Sequence, residues 1–167
     1  FITSERGLVF ALTEGGSSAS TITISDTNKS LPGVAATPDG AFVLVTDATD
    51  NVVHVIDAST NALVDADPQT AGVNPIALPE NSSLRDVVVA EVENPTDVYA
   101  FVSGTGGISV IDLNIAGSSF QQPAVIDFND GGADDDEDDP LPMSSAPGLL
   151  KVSGDGYVYA AASNASI

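Results

Sequence analysis

Short apolar runs alternate with polar turns along the whole chain, and residues 33–60 show this unit most clearly. Residues 33–37 are small and apolar, and Pro38-Asp39-Gly40 has the residue types of a tight turn. The near-continuous apolar run 41–46 predicts a strand that is covered on both faces. A polar turn separates it from the β-branched run 52–57. The pattern predicts three short strands of an antiparallel meander.

The same unit recurs along the chain, and such internal repeats indicate the architecture more strongly than any single segment. The second strand recurs in four places, at residues 7–13, 40–47, 97–104 and 156–163. The third strand recurs at residues 21–27, 52–58 and 107–113, with an aspartate at the same place in each copy: Asp26, Asp57 and Asp112. This succession of PDG-like turn, apolar strand, polar turn and V-x-V-I-D strand resembles the YVTN class of β-propeller repeat. Residues 87–112 also resemble the related LVIVD type.

The resemblance covers nearly the whole chain and implies an all-β fold, a β-propeller built of four-stranded antiparallel blades. Its blades are expected at about residues 1–30, 31–80, 84–128 and 143–167, with an acidic loop inserted at 129–140. These motifs specify a fold and leave the function open, because propellers host many unrelated activities.

The fourth predicted blade is incomplete. Its first two strands are expected at residues 147–152 and 156–163, and no V-x-V-I-D strand follows them. A propeller protects its sheet edges by completing its last blade. We therefore expect the chain to be a piece of a longer propeller of about 6–8 blades. The alternative is a subunit whose open blade another chain completes by strand addition. The expected partners are accordingly the remaining blades, further copies of the chain, or another protein.

The chain is strongly acidic, with 24 Asp and Glu residues against 4 Lys and Arg residues and a net charge of −20. This balance argues against binding to nucleic acid or to an anionic membrane, since both need basic residues. One interpretation is solubility in salty or Ca²⁺-rich water, which suits a secreted or cell-surface protein, with the periplasm as a further setting. The other interpretation is cation binding. The absence of cysteine excludes disulfides and thiolate metal sites.

Residues 129–140 carry seven acids and would repel one another unless something neutralises them. Oxygen-rich loops suit Ca²⁺, and the segment from residue 127 starts like a Ca²⁺-binding loop before departing from that motif at Gly131. The alternative is a solvated acidic loop without a defined site. The candidate metal ligands are Asp127, Asn129, Asp130, Asp134, Asp136 and Asp138.

The chain offers little that indicates catalysis. Its single histidine, His54, lies within a predicted strand, where a packed or solvent-facing side chain is expected and no nearby partner is evident. The glycine cluster at residues 103–107 lies between two strands, which is unsuited to a phosphate cradle. Tyr99, Tyr157 and Tyr159 also fall on predicted strands, and we expect them to pack in the core.

These observations favour a non-catalytic module for binding or assembly, with Ca²⁺ as a candidate stabilising ion. Sequons at Asn28, Asn81 and Asn164 fit an exported protein, although a chain rich in Asn, Ser and Thr also produces them by chance. The alternative is part of a propeller enzyme, since lactonases and quinone-dependent dehydrogenase subunits resemble the same repeat class. Their active groups come from several blades and meet at the central channel.

Overall fold

The computed structural model consists of β-strands and turns, as the alternation of apolar runs and turns predicts. It describes residues 1–4, 6–12, 15, 19–25, 28–92, 97–113, 115–116, 119–120, 123–126, 140–141, 143, 145–154 and 157–162. These ranges hold sixteen strands and no helix, which confirms the all-β class. Each strand pairing among them is antiparallel.

The strands form five sheets, which we name A to E in order along the chain. Sheet A contains β1 (Ile2–Thr3), β2 (Leu8–Leu12) and β3 (Ala19–Thr23). Sheet B contains β4 (Val34–Ala36), β5 (Phe42–Asp47), β6 (Val52–Asp57), β7 (Ala62–Val64) and β8 (Ile76–Ala77). Sheet C contains β9 (Asp86–Glu91), β10 (Val98–Ser103), β11 (Ile108–Asp112) and β14 (Ala124–Ile126). Sheet D contains β12 (Ile115–Ala116) and β13 (Ser119–Phe120), and sheet E contains β15 (Pro147–Val152) and β16 (Val158–Ala162).

Sheets B and C repeat one another in detail. Their strand orders are β4-β5-β6-β7 and β9-β10-β11-β14. In each sheet, neighbouring strands therefore follow one another in the order in which they occur along the chain. In sheet B the hydroxyl of Thr46 accepts a hydrogen bond of 2.8 Å from the backbone N–H of Gly33. In sheet C the hydroxyl of Ser103 accepts one of 3.1 Å from the N–H of Asp86. The recurring segments that contain Thr46 and Ser103 therefore form the same strand in two sheets.

The outer strand of sheet B is interrupted. Its first part, β7, ends at Val64, and β8 pairs with the same edge of β6. Residues 65–75 leave the sheet between these two strands, and we call this segment the excursion of sheet B. Asp65 holds this excursion together because its Oδ1 atom accepts hydrogen bonds from the backbone N–H groups of Asp67 and Asn74. The side-chain amide of Asn74 also donates to the carbonyl of Thr70, at 2.9 Å.

The core lies between neighbouring sheets, and alternate residues of β5 point towards opposite faces of sheet B. Val43 and Val45 pack with residues of sheet A. Phe42 and Leu44 pack with residues of sheet C. All four side chains are buried, as the apolar run at residues 41–46 predicts for a strand covered on both faces.

Sheet E packs against sheet C through β15, which contacts β9 and β10. A carboxylate oxygen of Asp86 accepts a hydrogen bond of 2.8 Å from the N–H of Leu150. At the matching place between sheets B and C the chain has Gly33, where an added Cβ would lie 2.9 Å from both Asp86 Cα and Val87 N. A close backbone approach at one junction thus corresponds to a carboxylate hydrogen bond at the next.

The predicted tight turn before β5 is confirmed. Gly40 has a φ of +72°, in the region that glycine tolerates best. An oxygen of Asp39 accepts hydrogen bonds from the Thr37 hydroxyl, at 2.6 Å, and from the N–H of Ala41, at 2.9 Å. These bonds stabilise the charged carboxylate and lower the pKa of Asp39 below its usual value.

Candidate interaction surface

One side of sheet E is exposed although its side chains are apolar and aromatic. Tyr157 is 64% exposed, Tyr159 is 60% exposed and Leu149 is 74% exposed. Lys151, which pairs with Tyr159 across the two strands, and Ala161 are also exposed on this side. We call these five residues face E. Contiguous apolar surface of this kind marks interaction sites in folded proteins.

The opposite side of sheet E is turned towards sheet C. Leu150 is buried there, and Val158 and Ala160 are half-buried. Because side chains alternate between the two faces of a strand, Tyr157 and Tyr159 point away from sheet C. Sheet E is therefore packed on one face and, among the residues that the structure describes, open on the other.

Comparison with sheet B shows what an equivalent face looks like when it is covered. In β5, Val43 and Val45 face the preceding sheet, as Val158 and Ala160 do in β16. The alternate residues of β5, Phe42 and Leu44, face the following sheet and are buried by sheet C. Tyr157 and Tyr159 occupy the corresponding places in sheet E.

The expectation that the tyrosines pack in the core was therefore wrong for Tyr157 and Tyr159, and Tyr99 is half-buried. The alternation of a strand does not indicate whether a sheet lies beside it, since the neighbour of a strand face is supplied by a distant part of the chain or by another molecule.

The backbone edge of β16 is also open within the described residues. The equivalent strands β5 and β10 each pair on both edges, with β4 and β6 and with β9 and β11. In the part of sheet E that the structure describes, β16 pairs with β15 alone. Its other edge offers backbone N–H and C=O groups to an added strand.

A separate group of polar residues lies around the end of β5. Asp47 is completely buried at the end of β5, where its Oδ1 atom accepts hydrogen bonds from the N–H groups of Thr49 and Asp50. Its Oδ2 atom lies 3.6 Å from both Lys29 Nζ and His54 Nε2. Lys29 also pairs with Asp50, and this hydrogen bond raises the pKa of Lys29 above its usual value.

His54 thus has the local partner that the sequence pattern did not reveal, because the hairpin of β5 and β6 brings Asp47 beside it. Burial lowers the pKa of His54 below its usual value of 6.5, and the nearby Asp47 partly opposes this effect. The Nε2 atom and the Asp47 Oδ2 atom are both buried without a hydrogen-bond partner. These two atoms therefore face one another at 3.6 Å inside the protein.

The glycine cluster at residues 103–107 is filled by Asn81. The side-chain amide of Asn81 donates to the hydroxyl of Ser109 at 3.0 Å and to the carbonyl of Val102 at 3.3 Å. Its carbonyl oxygen accepts a hydrogen bond from Gly106 N–H. Asn81 is buried, so a glycan on this sequon is incompatible with the fold, whereas Asn28 is exposed.

The predicted metal ligands lie outside the described residues. These are Asp127, Asn129, Asp130, Asp134, Asp136 and Asp138. In the ranges that the structure does describe, no group of three or more His, Asp or Glu side chains is arranged to hold a metal ion. Those ranges also contain no helix that is long and apolar enough to cross a membrane.

Neither a scan against models of known protein families nor a search of curated proteins finds a match to this chain.

Proposed function

We propose that this chain is a non-catalytic β-propeller module of the YVTN or LVIVD type and that it binds or assembles through face E. The observation that carries the proposal is the exposure of Tyr157 and Tyr159 at positions where sheet B buries Phe42 and Leu44. The exposed face offers a surface for sheet stacking, and the edge of β16 that is unpaired within the described residues offers one for strand addition. A protein partner that supplies a β-sheet would use both.

The propeller assignment is supported by the repetition of sheets B and C and by the two junctions that follow them. Sheet B contacts sheet C beside Gly33, and sheet C contacts sheet E beside Asp86, at the matching position. Sheets that repeat with a contact at the matching position of each junction are the elements from which a ring is built. Closure of such a ring would cover face E and protect the edge of β16.

The proposed setting is the cell exterior or the cell surface, with the periplasm as the alternative compartment. The net charge of −20 supports it, since exposed carboxylates remain hydrated and their repulsion is screened in salty water. Ca²⁺ is the proposed stabilising ion, because the acids at residues 127–138 supply the oxygen ligands that it prefers. His54 gives the enzyme alternative no support, since its Nε2 atom is buried beside the Asp47 carboxylate.

Chemical modification of the tyrosines tests whether face E is covered in the native protein. Tetranitromethane would be applied to the protein as isolated from its source and to the purified 167-residue chain, and nitration would be located by mass spectrometry. The sequence has three tyrosines, of which Tyr99 is half-buried and serves as the internal reference. We expect Tyr157 and Tyr159 to react several-fold more slowly in the native protein, with Tyr99 unchanged. Equal reactivity in both samples would overturn the proposal.

A further inference from the structure

The buried carboxylate of Asp47 is held by one of its oxygens, which leaves the other to pair with a cation. Its Oδ1 atom accepts hydrogen bonds from the backbone N–H groups of Thr49 and Asp50, at 2.8 Å and 3.2 Å. These two bonds fix the orientation of the carboxylate. Within the part of the chain that the structure describes, the Oδ2 atom has no hydrogen-bond partner. A buried charge in that position is stabilised by a nearby opposite charge.

Two basic side chains approach this oxygen from different parts of the chain. Lys29 comes from the segment that precedes β4, and His54 comes from β6. The Lys29 Nζ atom and the His54 Nε2 atom each lie 3.6 Å from Asp47 Oδ2, beyond the roughly 2.7–3.2 Å of a hydrogen bond. A small shift towards either group would complete a charge-assisted hydrogen bond of about 2.8 Å.

We propose that Lys29 and a proton on His54 compete for the Asp47 carboxylate, so that Asp47 pairs with Lys29 at neutral pH and with the His54 imidazolium in acid. The added proton lies on Nε2 and supplies the hydrogen bond that this atom and Asp47 Oδ2 both lack. Two cations beside one buried carboxylate repel one another, and the effect of each on the other is reciprocal. The inference does not depend on the proposed function.

The groups around His54 decide which proton changes between neutral and acid solution. Burial is the largest effect and lowers the pKa of His54 below 6.5, whereas Asp47 and Asp50 raise it and Lys29 lowers it further. These three are the charged groups that face His54 among the described residues. The hydrogen bond to Asp50 raises the pKa of Lys29, which therefore stays charged throughout. The variable proton is the one on His54.

Loss of the contact between Lys29 and the buried carboxylate would loosen the segment that leads into sheet B. Ser30, the next residue, accepts a hydrogen bond of 2.9 Å from the N–H of Ala48 and donates one of 3.0 Å to the hydroxyl of Thr49. Once the imidazolium holds the carboxylate, Lys29 retains its pair with Asp50, whose side chain is 54% exposed. Exposed ion pairs contribute little to stability. The arrangement is therefore a pH-sensitive latch beside Ser30.

The proton resonances of His54, the only histidine in the sequence, test the competition. Lys29→Met removes the competing ammonium group and keeps an aliphatic side chain, so the pKa of His54 should rise in this variant. Lys151→Met is the matched control, because it also removes one lysine charge but lies on sheet E, and it should leave the pKa of His54 unchanged. A pKa of His54 that is the same in Lys29→Met as in the unaltered protein would overturn the inference.

Hydrogen exchange of the unaltered protein tests the release of the latch without removing Lys29. Protection factors, which correct for the intrinsic pH dependence of exchange, should fall at least threefold at Ser30 and Ala48 as the pH falls through the measured pKa of His54. Protection at Leu44, in the middle of β5, should stay constant, and His54→Gln should show no fall at any of these sites. Protection that does not change with pH, or that falls equally in His54→Gln, would overturn the inference. Neither measurement involves face E, so either failure leaves the proposed function standing.

Discussion

The carboxylate of Asp86 accepts a hydrogen bond of 2.8 Å from the backbone N–H of Leu150, which lies 64 residues further along the chain. This contact fixes β15 of sheet E against β9 of sheet C. The hydroxyl of Ser103 adds a second link, since it donates to the carbonyl of Gly148 at 2.6 Å. Sheet E, and with it the exposed tyrosine face, is therefore held in place by polar contacts to its neighbour as well as by apolar packing.

Removing the Asp86 carboxylate should loosen sheet E without disturbing sheet B. In Asp86→Ala the Leu150 N–H loses its partner, which costs about 1–3 kcal/mol for a buried donor. We expect faster hydrogen exchange at residues 147–152 and unchanged exchange at residues 42–47. Asp86→Asn is the matched control, because its side-chain carbonyl still accepts a hydrogen bond. Equal loosening of both segments would show that the carboxylate acts on the whole fold rather than on one junction.

The glycine cluster should tolerate no side chain where Asn81 enters it. An added Cβ at Gly104 would lie 2.1 Å from Asn81 Oδ1 and 2.8 Å from the Ser82 carbonyl. Gly104→Ala should therefore displace Asn81, break its buried hydrogen bonds and reduce the free energy of unfolding by about 2 kcal/mol or more. Gly154→Ala is the control, since an added Cβ there meets nothing within 4 Å, and its effect should stay within about 0.5 kcal/mol. Denaturant unfolding measures both values, and equal stability of the two variants would contradict this account of Asn81.

The buried His54 should make the fold less stable as the pH falls. Its pKa in the folded state lies below the usual 6.5, so the unfolded chain takes up the proton first. The penalty is absent well above pH 6.5, grows as the pH falls through that value, and stops growing below the folded pKa. The charged groups that face His54 are Asp47, Lys29 and Asp50.

Thermal melts between about pH 7.5 and about pH 5.5 measure this effect in a range where exposed carboxylates of ordinary pKa stay charged. His54→Gln should lose less stability over that range than the unaltered chain. Because His54 is the only histidine, its proton resonances also give the folded pKa directly. A folded pKa at or above 6.5 would show that Asp47 and its charge outweigh burial.

Calcium should stabilise the protein through the acidic segment. A ligand that binds the folded state alone raises the free energy of unfolding by about 2.7 kcal/mol at a concentration of about 100 times its Kd. We expect Ca²⁺ to raise the melting temperature and EDTA to lower it. Replacement of Asp134, Asp136 and Asp138 by Asn should abolish the Ca²⁺ effect, whereas replacement of Asp65 and Asp67, which lie in sheet B's excursion, should not. A melting temperature that is unaffected by Ca²⁺ and by EDTA would show that the acidic segment is a solvated loop without a metal site.

Much of the fold follows from local sequence. The run at Val52–Asp57 is the strand predicted, and the Pro38-Asp39-Gly40 turn is where its residue types place it. These features depend on side-chain alternation and on turn chemistry, which are local properties.

The features that differ from the prediction depend on contacts between distant residues. Asp65 and Asn74 carry the chain out of sheet B before β8 resumes its edge, and no periodicity marks that return. Asp47 meets His54 because β5 and β6 form one hairpin. The exposure of Tyr157 and Tyr159 depends on which sheet lies beside them, which the alternation of a strand does not encode.

The most direct test of the central claim, that face E is one side of a sheet-to-sheet junction, is an experimental structure of the protein as isolated from its source. We predict a closed ring in which another antiparallel sheet lies against Tyr157 and Tyr159, with small or β-branched residues facing them as Ala100 and Val102 of sheet C face sheet B. A structure in which both tyrosines remain in contact with solvent, with the edge of β16 unpaired, would contradict the claim.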